Sequence, residues 1–393
     1  MKNKTFYIIL MCAFSAMLGL GIISPFLPEL VARHRANGFW MGMIFAGFAI
    51  SRGIVMPFVG RESDKVGRKV FMSSGLFLFS LISLFYPHAH NMYDLTLVRM
   101  VHGLAAGMII PIVMAYAGEF AEKGKEGSVA GTITMMFYLG LASGPIIGGE
   151  IYQAFGFHAV FYAMSALAFI AFLIVLFFLP ESGNPKVKAK YDGISFRALM
   201  KYDHIKALLI IAAISTFMTT IFLSFVPALA YKRHIDTEHI AIILSVGILL
   251  ASLLQIPFGK FSDRLSRTGK MFQISFGTSL SMCALFIMPL CPDFGALLGA
   301  GALMGAGISI ATPALISVSM GIGKQVGMGN WMGIINTAQS LGFMLGPLLA
   351  GIIMDMLGID RTFYILALLA FSGGLVYFHF LHNRIKKAET QEA

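Results

Sequence analysis

The sequence predicts an all-α membrane protein of twelve transmembrane helices arranged as two pseudo-symmetric six-helix bundles. Three observations lead there. Of 393 residues, 57% are hydrophobic and 12% charged, whereas a soluble domain carries about 25% charged residues. The apolar residues gather in about twelve runs of roughly the 20 residues that a helix needs to cross a hydrocarbon core. Short motifs of the first half also recur at corresponding places in the second. With 35 phenylalanines, 26 methionines and a mean hydropathy of +0.80, the chain holds more apolar surface than a water-facing globule can bury. A conventional soluble enzyme is excluded.

In chain order the runs cover 6–30, 39–59, 70–88, 95–118, 128–152, 158–180, 205–230, 239–259, 271–290, 295–321, 329–355 and 362–382. They are far longer than the roughly ten-residue alternating strands of a membrane barrel, so they read as helices. The first follows Met1-Lys2-Asn3-Lys4 without a clean small-residue cleavage site and reads as a retained helix. The longest polar stretch, Glu181 to Asp203, carries Gly183, Pro185 and four lysines and separates the sixth and seventh runs. The expected organisation is a bundle over 1–180, a linker over 181–203 and a second bundle over 204–393.

Cytoplasmic loops retain Lys and Arg. One set of alternate loops, with both termini, holds about 21 of them and the other set about 5. Both termini are therefore expected in the cytoplasm. The net charge of +10 is a topology signal, distributed in short clusters between apolar runs, and points away from nucleic acid. Cys12, Cys283 and Cys291 lack metal-ligand spacing and a disulfide framework and read as packing residues.

Two motifs are duplicated. Gly60-Arg61-Glu62-Ser63-Asp64-Lys65 after the second run matches Gly259-Lys260-Phe261-Ser262-Asp263-Arg264 after the eighth. Gly140, Gly144, Pro145 and Gly149 in the fifth match Gly342, Gly346, Pro347 and Gly351 in the eleventh. Internal repeats of this kind build the two halves of many transporters. In the loop motif, glycines permit a tight turn, and Asp64 is placed to cap a helix start or to pair with Arg68. In the fifth run small residues let helices approach closely, and Pro145 removes a backbone hydrogen bond, allowing a bend.

Ionisable groups inside apolar runs cost several kcal/mol unless they face a partner or a wet cavity. Arg99 lies several residues inside the fourth run, as a functional contact or as a clamp on backbone carbonyls. Arg52 lies about 12 Å along a helix before Gly60, with no carboxylate one turn away; it reads as a cavity residue or an interhelical contact. Together the two arginines make an anionic substrate a candidate. Glu150 is either a proton-exchanging carboxylate in an apolar setting or an interfacial charge. His102 is either a proton carrier or a packing histidine. Gln255, Asn336 and Gln339 need polar partners inside the membrane and either read a substrate or join helices. Trp331 is expected as an interfacial anchor. Neither a phosphate-cradling glycine loop nor a metal-binding pattern is present, so no cofactor, metal or catalytic residue is expected, and energy is expected from a gradient.

Over essentially its whole length the sequence resembles the major facilitator superfamily. The family signature G-x-x-x-D-[RK]-x-G-[RK]-[RK] stands as Gly60, Asp64, Lys65, Gly67, Arg68 and Lys69. Arg99, Gly103, Ala105, Ala106 and Gly107 are similar to the fourth-helix motif of the drug:proton antiporter branch, with His102 in place of the usual Gln. Gly140-x-x-x-Gly144-Pro145-x-x-Gly148-Gly149 is similar to the antiporter motif, and Gly19-x-Gly21-Ile22-Ile23-Ser24-Pro25-x-Leu27-Pro28 to the exporter first helix. Two departures stand out. The first run has no carboxylate before Glu29, and Glu62 occupies a position that is usually apolar.

The resemblance implies a role for Arg99 in proton coupling or anion holding. It also implies an acidic partner for Arg68 at Glu119, in a conformational latch with Asp64 that the second motif copy, Asp263 and Arg264, would echo. The implied activity is proton-coupled export of a small organic solute across a bacterial-type inner membrane by a monomer. Import of an anionic metabolite by uniport or symport is the alternative. A membrane enzyme acting on lipid-like substrates lacks a paired nucleophile and base.

Overall fold

A computed structural model describes residues 2–23, 38–181 and 199–392. Among these residues there are no strands, and twelve helices are long and apolar enough to cross a membrane. The first six are α1 (Lys2–Ile23), α2 (Gly38–Val66), α3 (Arg68–Ser83), α4 (Met92–Phe120), α5 (Glu126–Phe155) and α6 (Phe157–Phe178). The second six are α7 (Asp203–Lys232), α8 (Thr237–Leu253, resuming as Gln255–Asp263), α9 (Arg267–Ile287), α10 (Phe294–Val326), α11 (Met328–Leu357) and α12 (Ile359–Glu392). The third and ninth expected runs end in short 3-10 turns, Tyr86–His88 and Met288–Leu290. Residues 24–30, expected to complete the first run and carrying most of the Ser24 to Pro28 motif, lie outside the described residues, as does most of the linker.

The helix starts follow from local chemistry. Asn91, Asp236, Ser266 and Asp293 each accept a hydrogen bond from the backbone N–H three residues on, opening α4, α8, α9 and α10. The paired turns α5–α6 and α11–α12 each rest on one glycine at φ 82°, Gly156 and Gly358, a left-handed backbone that a side chain would strain.

The two sets of six meet along two seams. The most extensive helix pair in the molecule is α2 against α11. A Cβ at Gly60 would collide with the Gly329 carbonyl oxygen, and one at Gly333 or Gly42 would come within 2.7 Å of the Met56 or Pro347 carbonyl oxygen. The α5–α8 seam is built the same way, with Gly127 against Gly259 and Gly131 against the Gln255 backbone. Within the halves, Gly140 and Gly144 seat α5 on α1, and Gly342 and Gly346 seat α11 on α7. Where apolar side chains gain nothing by leaving lipid, such close backbone approach supplies the packing energy. Gly148 is buried in α5, but a Cβ at Gly149 would meet open space, so that glycine serves no close approach. Helix α5 runs unbroken through Pro145. Trp331, expected at an interface, is completely buried at the start of α11.

Candidate functional site

The end of the molecule that carries the loop motifs, called the basic end below, is closed by two matching contacts. Asp64, at the end of α2, accepts from the backbone N–H of Gly329 at 3.2 Å and Asn330 at 3.0 Å, the first turn of α11. Asp263, at the end of α8, accepts from the N–H of Gly127 at 2.6 Å and Ser128 at 2.9 Å, the first turn of α5, and from the Ser128 hydroxyl. Each aspartate caps a helix of the opposite half. A carboxylate there satisfies orphan N–H groups and meets the positive end of the helix dipole. The expectation that Asp64 caps a helix start holds with a correction: the capped helix is α11, and the start of α3 is capped by Glu181, which accepts from Arg68 N at 2.6 Å and Lys69 N at 3.1 Å.

Arg68 is buried between Asp64 (2.9 Å) and Glu119 (2.6 Å), with its guanidinium over the Tyr116 ring. The remaining latch candidates lie outside this cluster. Lys65 is exposed and paired with Glu62 at 2.7 Å. Arg264 is exposed, with no ion pair among the described residues. Lys324 was not singled out in sequence, yet it bridges the halves at this end, donating to Glu126 at 2.7 Å and to the Ala121 carbonyl at 3.0 Å.

Away from the basic end, a cavity of about 410 Å³ lies between α1, α2, α5, α7, α8 and α11. Its walls are largely apolar, among them Phe45, Leu141, Pro145, Leu244, Ile248 and Phe343, with hydroxyls from Thr220, Ser224 and Ser245. It reaches Tyr231, 78% exposed, and Ile240 beside the α7–α8 turn, at the end opposite the closed one. The α2–α11 seam is also tied at that opposite end, where Phe39 N donates to Asp355 at 3.1 Å. The α5–α8 seam holds the cavity there instead.

Arg52 and Arg99 are both buried, Arg99 with no exposed surface, and neither lines this cavity. They sit behind an aromatic wall. The Arg99 guanidinium lies over Phe48 at 4.8 Å and Phe45 at 5.8 Å, and that of Arg52 over Phe343 at 4.9 Å and Phe48 at 5.4 Å. Desolvated cation–π contacts of this type contribute about 2 kcal/mol each. Arg52 Nε donates to Ser340 Oγ across the α2–α11 seam at 3.0 Å, and Arg99 Nε to the Ile44 carbonyl at 3.4 Å. The Arg99 Nη1 and Nη2 atoms are buried, and the guanidinium interacts with the Tyr86 hydroxyl. His102, fully buried, has Nδ1 at 2.7 Å from the Tyr86 hydroxyl and its ring against Phe79.

The other polar candidates disperse. Gln255 accepts from Thr134 at 2.8 Å and so joins α8 to α5 away from the cavity. Asn336 donates to the Met332 carbonyl of its own helix. Gln339 lines a separate small pocket with Tyr138, Thr216 and Thr219. Glu150 is exposed near the end of α5, apart from the cavity lining. Phe45, Phe48 and Phe343, which sequence reading did not single out, do the most to shape the site. Phe45, Phe48 and Arg52 recur at the spacing of one helical face, a signal available in the sequence. Nothing local to α11 marks Phe343.

Twelve apolar helices in two joined sets, a cavity between them and matching contacts at one end define a multi-pass helical membrane transporter. The comparisons with known proteins place it further. The profile of the Major Facilitator Superfamily matches residues 9–321 and 208–393, and the chain belongs to that family. It is 24% identical over 379 residues to an uncharacterized MFS-type transporter, MJ1560, of Methanocaldococcus jannaschii, covering 95% of this chain and 97% of that one. It is 29% identical to multidrug resistance protein 2 of Bacillus subtilis, covering 90% of each chain. To the quinolone resistance protein NorA of Staphylococcus aureus it is 25% identical, covering 90% of this chain and 91% of that one. The human organic anion transporter MFSD10 shares the fold, with a TM-score of 0.80 at 17% identity, over 96% of this chain and 99% of that one.

Proposed function

We propose that the chain exports a small, mostly apolar organic solute in exchange for protons. The observation that carries this reading is the 410 Å³ cavity, whose apolar wall includes Phe45, against Arg99, and Phe343, against Arg52. The apolar lining suits lipophilic solutes, which is in keeping with relatives named for multidrug and quinolone resistance. The halves are 1–180 and 204–393 with the linker 181–203 between them, the basic end with both termini is cytoplasmic, and the monomer works alone in a bacterial-type inner membrane.

In this reading the conformation is outward-facing. The Asp64 and Asp263 caps hold the cytoplasmic gates shut, with Gly60, Gly67, Arg68 and Glu119 shaping the first latch, and they release when the halves rock. The proton site is the Arg99, His102 and Tyr86 group. Substrate arriving at Phe45 and Phe343 reaches it by moving the aromatic wall that holds both guanidiniums. Glu150, exposed and apart, leaves the set. A second reading, transport of an organic anion, is favoured by the buried Arg99 guanidinium, which has no carboxylate partner among the described residues.

Purified protein in vesicles under an imposed pH gradient should move lipophilic dyes or quinolones only while the gradient stands. Transport that survives collapse of the gradient would end the proton-coupled reading, and movement of organic anions alone would favour the second.

A further inference from the structure

One helical turn deeper than the apolar cavity, toward the basic end, lies a small pocket of about 60 Å³ between α7, α9, α10 and α11, with Tyr138 contributed by α5. It follows the cavity along the same helix faces. Tyr138 stands four residues before Ala142, Thr216 before Thr220 and Gln339 before Phe343, a spacing of about 6 Å along each helix. On the reading of that cavity as the solute site, we infer that the pocket is a second subsite and takes a neutral hydrogen-bond donor, a hydroxyl or N–H, at the end of an otherwise apolar solute.

Five hydroxyls of the lining have spent their protons. Ser215, Thr216 and Thr219 donate to the carbonyls of Ile211, Ala212 and Ser215 at 2.8, 2.7 and 2.8 Å. Thr278 and Ser281 donate to those of Ile274 and Gly277 at 2.8 and 3.2 Å. A hydroxyl has one proton and two lone pairs, so toward any occupant these five can only accept. No described residue donates to them. They stand near the middle of their helices, at a depth where hydrocarbon offers no donor. No charged side chain lines the pocket. An ammonium would therefore carry an uncompensated charge to the middle of the membrane, and an anion would face lone pairs; a neutral donor meets neither obstacle. The space holds a few waters or the end group of a solute, and the 410 Å³ cavity beside it holds the body.

The first half has no such pocket lining. In the register set by Gly140 on Phe14 and Gly342 on Ala213, the counterparts of Ser215, Thr216 and Thr219 are Ala16, Met17 and Leu20. In that set by Asp64 and Asp263, the counterparts of Thr278 and Ser281 are Phe79 and Ile82. All five are apolar, so a bundle on this frame closes without the hydroxyls. Polar groups kept inside a membrane bundle at that cost mark solute paths.

The test uses the full chain purified in detergent and follows the thermal unfolding midpoint against two uncharged probes of one shape, 4-phenylphenol and its methyl ether, 4-methoxybiphenyl. The phenol should bind about tenfold more tightly, because the ether displaces water from the pocket without replacing its hydrogen bonds. In the double variant Thr216→Val and Thr278→Val that preference should vanish, with the ether bound as in wild type, and each single variant should reduce it in part. Both hydroxyls bond within their own helices, so the variants remove no hydrogen bond between helices and should unfold near the wild-type midpoint. Equal binding of the two probes by wild type, or a preference that survives in the double variant, would overturn the subsite and leave the apolar cavity as a binding site. If neither probe moves the wild-type midpoint, the apolar cavity of the export reading fails together with the subsite.

Discussion

The first and second six helices share a frame and differ in where they keep their charge. The cap residues Asn91 and Asp293 and the helix prolines Pro111 and Pro313 fall in one register. In that register Arg99 corresponds to Gly301 and His102 to Met304; in the α2–α8 register Arg52 corresponds to Ala251. The gate aspartates and seam glycines are kept in both halves, whereas the buried cations belong to the first alone. Duplicated parts hold the halves together; under the proposed function, the part that differs is where chemistry with a solute or a proton is to be expected. A buried cation costs several kcal/mol in a membrane, so one copy of it suffices where two copies of a gate are needed.

The largest test of this contrast exchanges the matching positions. Arg99→Ala should abolish transport in vesicles while the protein still reaches the membrane, and Gly301→Ala, at the matching place in α10, should retain most of the wild-type rate. Comparable losses from both would mean that the asymmetry carries no function.

Next in size are the shared glycines. Gly140→Val and Gly342→Val should each lower stability by about 1–3 kcal/mol, because the new side chains meet the backbone carbonyls of Phe14 and Ala213. Gly149→Ala, in open space, should change it by less than about 0.5 kcal/mol. Unfolding midpoints of the purified variants measure both, and unequal losses at Gly140 and Gly342 would show that the two halves do not pack alike.

The gate caps come third. Asp64→Asn and Asp263→Asn each weaken a helix cap whose loss costs about 0.5–2 kcal/mol, so each should raise the labelling of a single cysteine introduced at the basic end. Asp64→Asn should do so more, since it also leaves Arg68 with Glu119 as its remaining acid. Equal labelling would show that the Arg68 cluster adds nothing to the first gate. The smallest effect is expected at Lys324→Ala, because a partly exposed ion pair contributes about 0–1 kcal/mol; labelling several times above wild type would make that bridge a third gate.

Much of the frame was legible in the sequence, because a membrane demands long apolar runs and duplicated glycines report close approach directly. Asp64, Arg68 and Glu119 were also legible as a group. Trp331 was expected at an interface and is buried, and Glu150 was left between two settings, since polarity and position along a run do not say which face of a helix points to lipid, to water or to a neighbour. Gln255, Asn336 and Gln339 were recognised as polar groups in apolar helices, but Gln255 meets Thr134 on another helix, Asn336 the Met332 carbonyl of its own, and Gln339 lines a small pocket, and nothing in their own runs distinguishes these cases.

Composition, span length and repetition by themselves determined the solvent, the class and the number of crossings, since each follows from the cost of placing backbone and charge in hydrocarbon. Tertiary structure decided that Asp64 and Asp263 cap the opposite half and that Phe45, Phe48 and Phe343 pack against the arginines. These are contacts between helices distant along the chain, and local periodicity carries no information about which distant partner a given face will meet.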